Sequence, residues 1–145
     1  MIKKTITYED YNGAKRTEDH FFNLNEAELT TLFNSFTGGF EGFRIHAQNA
    51  VQKKDIPELM NLFREILRLS YGEKSADGRH FRKSPEIFAD FEQTEAYSEL
   101  FMELLSNPEV AGDFIQGVMP KKLGEEMRKK RDELRAIAEG ETPEL

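Results

Sequence analysis

Apolar and polar positions alternate along residues 2–8, with Ile2, Ile6 and Tyr8 on one face of an extended chain and Lys4 as the odd member. Asn12-Gly13 follows, a pair that tolerates positive φ and suits a tight hairpin turn. Residues 15–24 alternate less cleanly and include Thr17, Phe21 and Phe22. The pattern predicts an N-terminal β-hairpin over residues 1–24. A lone two-stranded hairpin is marginal in water, so it must pack on the segments that follow or add to a partner's sheet.

From residue 25 the period changes to that of helices. Asn25 with Glu28 forms a capping-box start for a helix to about residue 36, and Thr37-Gly38-Gly39 breaks it. A second helix is expected over 40–54, weakened in its first turn by Gly42. Asp55-Ile56-Pro57-Glu58 then opens the clearest helix of the chain. Its apolar face carries Leu59, Leu62, Phe63, Ile66, Leu67 and Leu69, and it ends near Tyr71. Residues 72–84 are a polar interruption around Asp77-Gly78, either a small hairpin or an ordered loop. Ser84-Pro85, Thr94 and Asn107-Pro108 each supply the start of a further helix, the last of which stops before Pro120.

After Pro120 the apolar face thins to Leu123, Met127, Leu134 and Ala138 among alternating Lys/Arg and Asp/Glu. Such a segment is either a solvated helix supported by i,i+4 ion pairs or a narrow seat for a partner helix. Residues 140–145 read as a disordered end. The fold class is therefore α+β and mostly helical: an N-terminal hairpin packed on a helical bundle, followed by a charged C-terminal helix. One domain covers 1–120, with the hairpin at 1–24 and helices at 25–120, and residues 121–145 form a charged extension.

Composition narrows the function. Of 145 residues, 38% are hydrophobic and 32% charged, too apolar for wholesale disorder. The 12 Phe residues need no hydrogen-bond partner and suit core or interface pockets. The absence of cysteine removes disulfides, thiolate nucleophiles and Cys-ligated zinc. A net charge of −7 repels nucleic acid, whose binding depends on neutralised phosphates. Residues 1–8 do not read as a signal peptide, and no apolar run approaches the ~20 residues of a membrane span, so a cytoplasmic protein with no membrane association is expected.

Chemistry-bearing patterns are sparse. His20, His46 and His80 have no metal-ligand spacing between them, although spacing alone leaves open a triad assembled from distant positions. Gly38, Gly39 and Gly42 lack the Lys-Ser/Thr and the preceding strand of a phosphate loop. With 27 acidic residues, carboxylate pairs arise by chance. The basic cluster Arg128-Lys129-Lys130-Arg131 is interleaved with acids and has no aromatics on which bases could stack. The reading is a protein with no catalytic, cofactor or metal site, which works by binding other proteins.

Three segments carry a resemblance: Ser70-Tyr71-Gly72-Glu73-Lys74-Ser75 with Asp77-Gly78-Arg79, Phe81 and Lys83-Ser84; Phe91-Glu92-Gln93-Thr94-Glu95-Ala96-Tyr97-Ser98-Glu99-Leu100-Phe101-Met102-Glu103-Leu104; and Phe114-Ile115-Gln116-Gly117-Val118-Met119-Pro120. With the hairpin residues Ile6-Thr7-Tyr8, Asp10-Tyr11-Asn12-Gly13 and Arg16-Thr17-Glu18-Asp19, they resemble the tail assembly chaperones of long-tailed bacteriophages and prophages of Gram-positive bacteria. The likeness covers roughly residues 1–120.

The resemblance implies a non-enzymatic chaperone in the host cytoplasm, absent from the mature virion. It would bind the tape measure protein, a long helical chain that sets tail length, and keep it soluble until the tail tube polymerises. It also implies a longer, frameshifted form that recruits the major tail tube protein. Tyr97, Phe101 and Leu104 are candidate protein-binding residues on the best-matched helix, alternatively plain core, and Leu123, Met127 and Leu134 are candidates on the charged one. The rival expectations are a structural tail or head–tail joining component retained in the virion, and a small nucleic-acid-binding regulator using Arg128 to Arg131. A homo-oligomer is left open.

Overall fold

The alternation at the N-terminus becomes strand β1 (Ile2–Glu9), paired antiparallel with β2 (Lys15–Phe22) from Ile2↔Phe22 to Glu9↔Lys15. The turn between them is wider than a two-residue hairpin loop. The Asp10 carboxylate accepts the amides of Asn12 and Ala14, both at 2.9 Å, and its partner oxygen holds Arg16 Nε at 2.6 Å. Because Asp10 satisfies these groups, Gly13 alone in the turn takes a positive φ, +81°, and Asn12 does not.

Helices α1 (Glu26–Asn34), α2 (Gly39–Gln52) and α3 (Ile56–Ser70) follow. The sequence signals act locally as expected: Asn25 Oδ1 accepts the Glu28 amide at 2.8 Å while Glu28 Oε1 accepts the Asn25 amide at 3.0 Å. Asp55 caps α3 from one side only, its carboxylate accepting the Glu58 amide at 3.3 Å. α3 ends one residue before Tyr71, which starts strand β3 (Tyr71–Lys74). The polar interruption is a small hairpin, because β3 pairs with β4 (Phe81–Arg82) around the Asp77-Gly78 turn. β3 also pairs with β2 through Phe22↔Tyr71, giving a four-stranded antiparallel sheet in the order β1-β2-β3-β4.

Helices α4 (Pro85–Glu92), α5 (Glu95–Ser106), α6 (Pro108–Val118) and α7 (Lys121–Ala138) complete an α+β, mostly helical fold. The computed structural model describes residues 1–138, and within α7 it describes the side chains other than those at 124, 126–128, 130, 131, 134, 135 and 138. The predicted disordered end at 140–145 lies outside the described residues.

One face of the sheet is covered by helices. Phe22 is fully buried, its ring 5.1 Å from Phe114 of α6, 5.9 Å from Phe91 of α4 and 5.4 Å from Tyr71. Tyr71 stacks on Phe91 at 4.1 Å. α5 packs along β1, where Lys4 meets Glu103 at 3.4 Å, so the odd polar residue of the inward face is paired at the margin of the core. The strand-to-helix link is fixed by two amide bonds: Asn23 donates to the Ser70 carbonyl and Leu24 to the Val118 carbonyl, both at 2.8 Å.

Candidate functional site

The helices carry more apolar surface than the sheet consumes. On α2, Phe43, Ala47 and Val51 recur every four residues, so one side of that helix, rather more than two turns long, faces a single direction, and Lys54 follows just beyond the helix end. Opposite it stand Pro108, Gly112 and Ile115 on the outward side of α6, and α3 and the end of α5 form the floor. The result is an apolar groove of about 500 Å³. Its floor is ordinary core: Leu62, Phe63, Ile66 and Leu104 are all buried. Its mouth differs, since Val51 is 53% and Ile56 46% exposed. Large apolar side chains that are half in water at one end of an apolar trough are the sort of surface that a partner covers.

Local sequence sets the placement of α2. Gly38, at φ +89°, precedes the helix, and Gly42 lies so close to the preceding turn that a Cβ there would fall 1.9 Å from the Thr37 carbonyl oxygen. The α1–α2 corner is filled by rings: Phe33 lies 5.0 Å from Phe40 and 5.5 Å from Phe43, and Phe36 lies 5.2 Å from Phe43. At its other end α2 is closed by Lys54, which takes φ +52° and is the only non-glycine with positive φ among the described residues. His46 Nε2 meets Glu58 Oε1 at 2.7 Å and ties α2 to the first turn of α3. Lys54 is the only charged residue among the described residues that line the groove.

The residues singled out from sequence fall in three places. Leu104 is on the groove floor, 2% exposed, with half-buried Leu105 beside it. Tyr97 and Phe101 are half-buried and outside the groove lining. They stack on each other at 5.6 Å, and Tyr97 meets Phe91 and Phe88 edge-on at 5.6 and 6.0 Å. Burial raises the Tyr97 phenol to about 12, so it stays protonated. Leu123 lines a separate cleft of about 400 Å³ with Leu29, Phe33 and Pro120, between α1 and the start of α7. The side chains of Met127 and Leu134, and those of Arg128 and Arg131 in the basic cluster, lie outside the described residues.

The groove walls at Phe43, Ala47, Val51, Ile56 and Ile115 were not singled out from the sequence. The available signal was an apolar i, i+4, i+8 stripe on α2 ending at two exposed aliphatics either side of a helix break.

The histidines among the described residues stand apart from one another. His20 is largely buried against Phe91, ring centroids 4.8 Å apart, and burial lowers its pKa below the usual imidazole value. His46 pairs with Glu58, and His80 belongs to the β3–β4 turn through its backbone. Among the described residues there is no cluster of three or more His, Asp or Glu that could hold a metal ion. Among them, too, no helix is long and apolar enough to cross a membrane.

A family model described as phage tail assembly chaperone matches residues 1–144. No curated protein and no solved structure matches the chain.

Proposed function

We propose, on the ground that the chain belongs to the phage tail assembly chaperone family, that it binds the tape measure protein and keeps it soluble until the tail tube polymerises around it. The match extends the likeness seen over residues 1–120 through the charged helix to residue 144. The family gives a chaperone role in tail assembly; the partner and the mode of binding are the proposal.

The observation that carries it is the groove between α2 and α6, open at its Val51–Ile56 end. A tape measure is a long helical chain with apolar faces that would aggregate if left bare. Laying an amphipathic helix into an apolar groove removes such a face from water, with anchors spaced at i, i+3, i+4 and i+7. The chaperone's own net charge of −7 keeps the complex dispersed. Nothing in this mode needs a reacting group, in keeping with a family that works without catalysis. The site of action is the host cytoplasm, and the chaperone leaves before the virion is complete. A longer form that also recruits the tail tube protein would extend the same scheme.

The experiment is co-expression with the tape measure protein encoded beside it, read as recovery of soluble tape measure in a stable complex. A tape measure that stays insoluble with no complex formed refutes the proposal. Purified virions should lack the chain; a fixed copy number there would make it a structural part.

A further inference from the structure

We infer that the groove accepts its partner helix in one orientation only, with an acidic side chain of that helix set against the ammonium of Lys54. This rests on the groove being the tape measure site.

Lys54 stands where the groove opens, beside exposed Val51 and Ile56, and every other described lining residue is uncharged. Of its neighbours, Arg44 is held by Glu41 at 2.7 Å, and the exposed Lys53 is not among the described lining residues of the groove. Lys54 makes no ion pair among the described residues. Its backbone is pinned from both sides, since its amide donates to the Val51 carbonyl at 3.2 Å and the Asp55 amide donates to the Ala50 carbonyl at 2.9 Å.

The backbone geometry adds a second observation. A residue that closes a helix in the left-handed region is usually glycine, because a Cβ is disfavoured there. Here the position holds lysine at φ +52°. A cation at that place also faces the negative end of α2, which explains a lysine there without any partner. The two explanations differ in what they predict. If Lys54 serves only α2, its loss is felt in stability. If it receives an acid, its loss is felt in binding. An apolar trough with a single charge at one end can discriminate direction, because an amphipathic helix laid in reverse would leave the ammonium covered by apolar side chains and unpaired.

The test uses Lys54→Gly and Lys54→Glu with Val51→Asp as the control, each full chain co-expressed with the tape measure protein. Lys54→Gly removes the charge while relieving the left-handed backbone, so stability holds or rises. Recovery of soluble tape measure should fall about tenfold for Lys54→Gly at low salt, the scale of one paired charge, and further for Lys54→Glu. The deficit should narrow at high salt, where the attraction is screened. Wild-type recovery by both Lys54 variants, with Val51→Asp still defective, overturns the orientation and leaves the groove in place. Failure of the wild type to capture the tape measure brings down the groove reading, and the orientation with it.

Discussion

The ammonium of Lys83 lies 2.8 Å from both carboxylate oxygens of Glu28, and it also donates to the carbonyls of Asn23 at 2.5 Å and Leu69 at 2.7 Å. One side chain, just before α4, thereby joins the capping box of α1, the exit of β2 and the last turn of α3. The two charged groups are mostly out of water, at 20% and 28% side-chain exposure.

Removing the cation strands its acceptors. Lys83→Met should lower stability by about 2 kcal/mol, within the usual cost of unsatisfied buried groups. Glu28→Gln should cost less, since the amide oxygen can still accept from Lys83 and the two carbonyls stay satisfied. Urea midpoints at constant m-value measure both; equal costs would mean that the carbonyls contribute nothing.

Substitutions at the groove mouth should separate binding from folding. Val51→Asp and Ile56→Glu place charge on side chains that are about half exposed, so stability should change by no more than about 0.5 kcal/mol. Recovery of soluble tape measure should collapse. Normal recovery with both variants folded would rule the groove out.

Tyr97 should behave as a core residue. It is packed on Phe88, Phe91 and Phe101, so Tyr97→Ala should cost about 2–3 kcal/mol with partner affinity of the folded protein unchanged. Reduced affinity at full stability would move the binding surface toward α4 and α5.

Acid should weaken the fold through His20. Its neutral form is favoured in the native state and its pKa there lies below the ordinary 6.5. Between those two values the unfolded chain binds the proton that the native chain refuses. The His20 contribution is complete above pH 6.5 and is lost as pH falls through the lowered native value. Comparing urea midpoints at about pH 7.5 and about pH 5, His20→Phe should lose less stability than the wild type. A wild type and variant that fall in parallel would show that the imidazole does not contribute.

Much of the chain was legible because its instructions are short-range. Asn25 with Glu28, Asp55 before Pro57, Ser84 before Pro85 and Asn107 before Pro108 each satisfy amides within three residues, and each helix starts where they stand. The pairing of β3 with β2 was not legible. It depends on bringing Tyr71 against Phe22 across three helices, and nothing in the short segment 71–74 announces that contact. Nor could the stripe Tyr97–Phe101 be told from the stripe Phe43–Ala47–Val51. Both are apolar at helical spacing, and only the positions of α4 and α6 decide which is covered by the protein itself.

The strand order places β1 at the margin of the sheet for its full eight residues. Such a margin is an invitation to polymerise, because every second residue offers amide and carbonyl groups to any passing strand. Exposed Lys3 puts a cation near its start, and α5 lies along its inner side, tied there by the Lys4–Glu103 pair. A second copy arriving in the same way would bring its own lysine and its own helix to a place already occupied by both. An edge guarded in this way hinders the protein from building fibres of itself.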